Sequence, residues 1–128
     1  MIHRFSLRVY YEDTDMAGIV YYANYLRFIE RARSDWVREM GIDQLAMKAD
    51  GLVFAVRRIE ADYLATAQFE DVLEVRTTLD TLTPARMVMG QEVWRGQTCL
   101  FRAVVTIVCI GAGGKPARLP AKLRSMTL

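Results

Sequence analysis

The sequence predicts an α+β fold in which a five-stranded antiparallel sheet wraps around one long helix, and three observations carry that expectation. Apolar residues recur with a period of two in one segment near the start and in four segments after residue 52. A single stretch, from Asn24 to Gly41, carries a helical period instead. The four later strands follow one another without the crossover helices that parallel strands need, so the sheet must be antiparallel.

The first strand covers residues 4–11, where Phe5, Leu7, Val9 and Tyr11 alternate with Ser6, Arg8 and Tyr10. Helical spacing then joins Tyr25, Phe28, Ile29, Ala32, Trp36 and Met40 into one apolar stripe, with Arg27, Glu30, Arg31, Asp35 and Arg38 distributed around it. Asn24 is expected to cap this helix through its side-chain carbonyl, and Gly41 to end it. A polar stretch leads to Asp50-Gly51, and no second helix is expected. Runs rich in Val, Thr, Ile and Leu place the other strands at 53–64, 71–81, 86–95 and 98–110. In the last of them Cys99, Phe101, Ala103, Val105, Ile107 and Cys109 form the face expected to lie on the helix, opposite Thr98, Arg102 and Thr106. Arg95-Gly96-Gln97 reads as a hairpin turn and Gly111-Ala112-Gly113-Gly114 as the end of the sheet. The tail, with Pro116 and Pro120, is expected to be irregular.

The length suits one domain over residues 1–128. Sheet edges, together with Val104, Val108 and Ile110 on the second face of the last strand, predict a homo-oligomer. With 52% hydrophobic and 25% charged residues the chain is globular, and a net charge of +2 spread among acids leaves no nucleic-acid footprint. The opening MIHRFSLRVYY alternates charged and apolar residues, and no run approaches the ~18 apolar residues of a membrane span, so a cytoplasmic location is expected. Cys99 and Cys109 lie on one strand, about 33 Å apart at ~3.3 Å per residue, and cannot pair with each other. The single histidine, His3, is far from both, and no zinc-ligand spacing exists; neither a metal nor a cofactor is expected.

The informative segment is YEDTDMAGIVYYANY, residues 11–25, between the first strand and the helix. Acids, a glycine and tyrosines crowd a path to a helix N-terminus, whose free N–H groups and partial positive charge suit an oxygen that turns negative in a transition state. Gly18 permits a backbone conformation that a side chain would hinder. An acid held there would attack a bound carbonyl or activate water to do so. The alternative is that Asp13, Thr14 and Asp15 form only a polar turn, because such residues satisfy local backbone groups well.

The stretch YYEDTDMAGIVYYANYLRFIERAR, residues 10–33, resembles the signature of the hot-dog thioesterase family that includes 4-hydroxybenzoyl-CoA thioesterase and the acyl-CoA thioesterases associated with the Tol-Pal system. The match is specific in its D-x-D-x-x-G-x-V-Y core, and the order of elements agrees over nearly the whole chain. The resemblance implies the hot-dog fold, hydrolysis of acyl-CoA without a cofactor, and a homotetramer built as a dimer of dimers. It assigns the catalytic carboxylate to Asp15 and the carbonyl-polarising amide to Tyr22, with Gly18 and Val20 shaping the pocket. Tol-Pal-type members often carry histidine where this chain has Tyr22, whereas the hydroxybenzoyl branch has tyrosine. The basic cluster that members place near the coenzyme A phosphates is thin here. Arg86 after Thr83-Pro84-Ala85, with Arg57 or Arg58, is the candidate contact, and the alternative for all three is a solvated strand-end charge.

A serine hydrolase is excluded by inventory, since no G-x-S-x-G elbow exists and the only histidine is near the start. Related dehydratases use a histidine with an acid, and the motif here has none. The competing reading is a non-catalytic hot-dog module that docks acyl carrier protein or a lipid-synthesis enzyme. Acyl preference, short aliphatic or aromatic, depends on a pocket between subunits and is not written in the sequence.

Overall fold

The computed structural model describes residues 1–126. Its elements are β1 (Ile2–Arg8), α1 (Asn24–Glu39), α2 (Gln44–Ala49), β2 (Val53–Tyr63), β3 (Val72–Leu82), β4 (Arg86–Arg95), β5 (Thr98–Ile110), β6 (Pro116–Ala117) and α3 (Ala121–Arg124). The strands form one antiparallel sheet in the order β1-β3-β4-β5-β2, and β6 extends it by pairing with Cys109 and Ile110 of β5. The sheet curls around α1 in the expected hot-dog arrangement.

Alternation along the strands builds the core. Val75 of β3, Met87, Met89 and Val93 of β4, and Phe101, Ala103, Val105 and Ile107 of β5 are buried with Tyr25, Phe28, Ile29, Ala32, Trp36 and Val37 of α1. Each large apolar side chain so removed from water contributes roughly 1.5–3 kcal/mol, which makes this stripe the main reason that α1 is a helix of fixed orientation. Its C-terminus closes as the sequence requires. Gly41 adopts φ +85°, its N–H donates to the Arg38 carbonyl at 2.9 Å, and the Ile42 N–H donates to Val37 at 3.2 Å.

Five expectations need correction. β1 ends at Arg8, because the chain turns where the Tyr10 N–H donates to the Asp13 carboxylate at 2.8 Å. Asn24 is the first helical residue rather than the cap, and its side chain is turned to another use described below. The polar stretch holds a second helix, α2, capped by Asp43, whose Oδ1 accepts from the Leu45 and Ala46 N–H groups; with no buried residue it leaves no apolar stripe to read. The tail is ordered, since Leu119 and Leu123 are buried at the end of the core and the Leu119 N–H donates to the Pro84 carbonyl at 2.9 Å. In β5 a bulge opposite Val93 and Trp94 leaves Cys99 half-buried and turns Leu100 into the core beside Phe101. Both cysteines are free thiols.

β1 and β2 are the edges. β2 is exposed along most of its length, with Val53, Val56 and Tyr63 open to solvent. Among the described residues no helix is long and apolar enough to cross a membrane.

Candidate active site

Between β1 and α1 the chain makes a small pinned loop. A single 3-10 turn, Tyr11–Asp13, leads into Thr14, which bridges antiparallel to Val20, while Ile19 bridges to Gln68 and the Val20 N–H donates to the Ala67 carbonyl at 2.8 Å. Inside this ring the Gly18 N–H donates to the Asp15 carbonyl at 2.9 Å, and the Asp15 N–H to the Ile19 carbonyl at 3.0 Å. Gly18 takes φ +80°, a region that a side chain would strain, which is why the turn needs glycine there.

The two aspartates of the motif have separate surroundings. Asp13 is buried: its Oδ2 accepts the Tyr10 N–H, its Oδ1 accepts the Asn24 side-chain amide at 2.6 Å, and its carbonyl accepts the Tyr21 N–H at 2.9 Å. It therefore ties the end of β1 to the start of α1. Asp15 is half-buried, and its Oδ1 accepts the Ala17 N–H at 2.9 Å. Among the described residues its Oδ2 has no hydrogen-bond donor and its carboxylate no ion-pair partner.

Asp15 lines a cleft of about 400 Å³ together with Ile19, Val20, Tyr22, Tyr25 and Tyr63, closed by 64–66. The N–H groups of Tyr22 and Ala23, just ahead of α1, find no acceptor among the described residues. Free amides at a helix start beside an under-coordinated carboxylate give the cleft both a place for negative charge to develop and a group able to attack or deprotonate. Tyr63, at the end of β2, donates its hydroxyl to the Tyr22 carbonyl at 2.9 Å and packs its ring on Tyr25 and Phe101. That bond fixes the peptide plane carrying the Ala23 N–H. The Tyr21 phenol is pushed above its ordinary pKa, first by its hydrogen bond with Tyr22. Burial raises the phenols of Tyr25 and Tyr63, so all three stay protonated at neutral pH.

The structure thus brings Asp15, Val20 and Tyr22 to one cleft, with Gly18 shaping the loop beneath it. It does not bring the arginines there. Arg57 and Arg58 lie on β2, where a bulge interrupts the register and Arg58 pairs with Glu60, and Arg86 is exposed at the start of β4. Tyr63 is the site residue that sequence reasoning missed. It stands 41 positions from its partner, and no spacing rule links the two.

The thioesterase-like superfamily model matches residues 9–126. The chain belongs to that superfamily. It is 36% identical to the acyl-CoA thioester hydrolase YbgC of Escherichia coli over 124 residues, covering 95% of this chain and 92% of that protein. It is 35% identical to the acyl-CoA thioesterase YbgC of Haemophilus influenzae, covering 94% and 90%. The solved 1,4-dihydroxy-2-naphthoyl-CoA thioesterase of Synechocystis superposes with a TM-score of 0.87 at 25% identity, covering 95% of this chain and 92% of that one. The expected membership and fold are therefore borne out, and the chain is a thioesterase.

Proposed function

We propose that the chain hydrolyses acyl-CoA thioesters with Asp15 as the reacting carboxylate, the main-chain N–H groups at the start of α1 as the oxyanion cradle, and residues 1–128 acting as one hot-dog domain. The observation that carries this reading is the pairing, in one cleft, of Asp15, whose carboxylate keeps a free oxygen, with Tyr22, whose main-chain N–H is unclaimed among the described residues. The Asp15 carboxylate either attacks the thioester carbonyl or takes a proton from water, which then attacks. Negative charge gathers on the carbonyl oxygen, where the Tyr22 N–H and the positive end of α1 stabilise it; losing one such donor typically costs ~2.7–4 kcal/mol. The C–S bond then breaks and coenzyme A leaves as the thiol after protonation; attack by water gives the carboxylic acid directly, whereas attack by Asp15 leaves an acyl anhydride on its carboxylate that a water molecule hydrolyses to release the acid and restore Asp15. Val20 and Gly18 set the floor of the acyl slot, and Arg86 with Arg57 or Arg58 meets the coenzyme's phosphates at the surface. The exposed edge strand β2 supports pairing with a second subunit, and we assign the working state as a cytoplasmic homotetramer, a dimer of dimers, with acyl carrier protein as a further candidate partner.

Thiol release from a panel of short aliphatic and aromatic acyl-CoA substrates tests the reading. Turnover is expected on at least one class, and Asp15→Asn is expected to cut kcat roughly 10³-fold on it. A panel with no turnover, in protein of intact fold, would replace hydrolysis by docking.

A further inference from the structure

Outside the cleft, the fold assembles a group of side chains that the sequence keeps apart. His3 of β1 reaches α1, where its Nε2 lies 2.9 Å from Asp35 Oδ2 and 2.9 Å from Glu39 Oε2. Asp35 and Glu39 stand four residues apart on α1 and so share a face. The imidazole side chain is only 5% exposed and stacks on Trp36 at 5.6 Å with 13° between the planes, so its orientation is fixed. Its Nδ1 is buried with no partner among the described residues.

Two carboxylate oxygens converge on a nitrogen that carries at most one hydrogen. With a neutral imidazole the group holds two negative charges facing one N–H, and with an imidazolium it still holds one in excess. A divalent cation would leave it neutral. All three donor atoms lie within 4.8 Å of one another. Zinc held at ~2.0–2.2 Å by nitrogen and oxygen ligands has its donors about 3.3 Å apart, so small side-chain movements suffice. We propose that His3, Asp35 and Glu39 form a binding site for a divalent first-row transition ion, with the remaining coordination positions open to water. One imidazole with two carboxylates suits zinc, cobalt or manganese rather than a soft thiophilic ion.

The surroundings set the affinity. An Nδ1 without an acceptor gives the ligand no outer-sphere support, a deficiency that typically costs 10–100-fold in metal affinity. Arg38, 3.9 Å from Asp35, competes for one carboxylate. Both features weaken the site, and its consequence is mechanical: it clasps the edge strand β1 to the last turns of α1. No spacing motif reveals it, because one ligand comes from the strand and two from the helix.

The test uses the full chain, freed of metal by chelator dialysis, with zinc ion alone as the probe in calorimetry and thermal melting, and cobalt for its visible absorption. About one zinc per chain is expected to bind at micromolar concentration and raise the melting temperature. Glu39→Gln and Asp35→Asn are each expected to weaken binding at least about tenfold and to reduce the melting shift at a fixed zinc concentration accordingly. Both are conservative changes, and the Glu39 side chain is 68% exposed. Failure of zinc to bind up to millimolar concentration would overturn the proposal and leave a proton-bridged contact. Binding and melting shifts unchanged in both variants would overturn it too, by placing the zinc elsewhere.

Discussion

Asp13 and Asp15 stand two residues apart in one loop, yet the fold treats them in opposite ways. Asp13 is sealed in the protein, and both of its oxygens and its carbonyl are claimed by Tyr10, Asn24 and Tyr21. Asp15 is half-exposed and spends one oxygen on the Ala17 N–H. The lesson is that the first acid builds the loop and the second is left with capacity to react. A buried carboxylate that accepts strong hydrogen bonds on both oxygens has nothing to offer a substrate. One that faces a cleft with an uncommitted oxygen does.

The largest change to the scaffold should follow Asp13→Ala. Removing this carboxylate strands the Tyr10 N–H and the buried Asn24 amide, at about 1–3 kcal/mol for each unsatisfied group. Denaturant unfolding is expected to show a loss of about 2–5 kcal/mol. A loss under about 0.5 kcal/mol, the range of ordinary surface substitutions, would remove Asp13 from the scaffold.

A smaller effect is expected at Tyr63. Tyr63→Phe keeps the ring packed on Tyr25 and Phe101 but frees the Tyr22 carbonyl, and with it the peptide plane that presents the Ala23 N–H. A hydrogen bond worth about 1 kcal/mol corresponds to about fivefold in rate, so kcat should fall by about that factor with KM little changed. A rise in KM alone would recast Tyr63 as a substrate contact.

Smaller still is Tyr22→Phe, which preserves the main-chain donor and should cost less than about fivefold in kcat. A phenol acting as the general acid predicts a loss as deep as that of Asp15→Asn. Steady-state kinetics on one acyl-CoA separate the two roles.

Most strands and the long helix are legible in the sequence, the division between Asp13 and Asp15 is not, and the exceptions have physical causes. The strands and α1 could be read because burial on one face imposes a period, and Phe28, Ile29, Ala32 and Trp36 obey it to the last residue. α2 could not, because none of its residues is fully buried and Met47 packs only partly on the core, and the tail could not, because its two buried leucines, Leu119 and Leu123, are too few to set a period. Within the site, Asp15, Val20 and Tyr22 are near neighbours in sequence and were found together. Asn24 reads as a cap because an N-cap preference is local, whereas its partner Asp13 lies 11 residues back. Tyr63 and the His3–Asp35–Glu39 group were invisible for the same reason on a larger scale: their partners are set by sheet topology, not by spacing.

The central claim, that structure and reactivity are divided between these two aspartates, is tested most directly by measuring kcat and melting temperature together on Asp13→Asn and Asp15→Asn. In Asp15→Asn the amide oxygen still accepts the Ala17 N–H, so the melting temperature should be unchanged and kcat lowered roughly 10³-fold. In Asp13→Asn a neutral amide replaces a carboxylate that accepts on both oxygens, so charge-assisted bonds are lost and the melting temperature should fall while kcat of the folded protein falls far less. Near-full turnover by Asp15→Asn, or a deeper kcat loss in Asp13→Asn than in Asp15→Asn with both proteins folded, would contradict it.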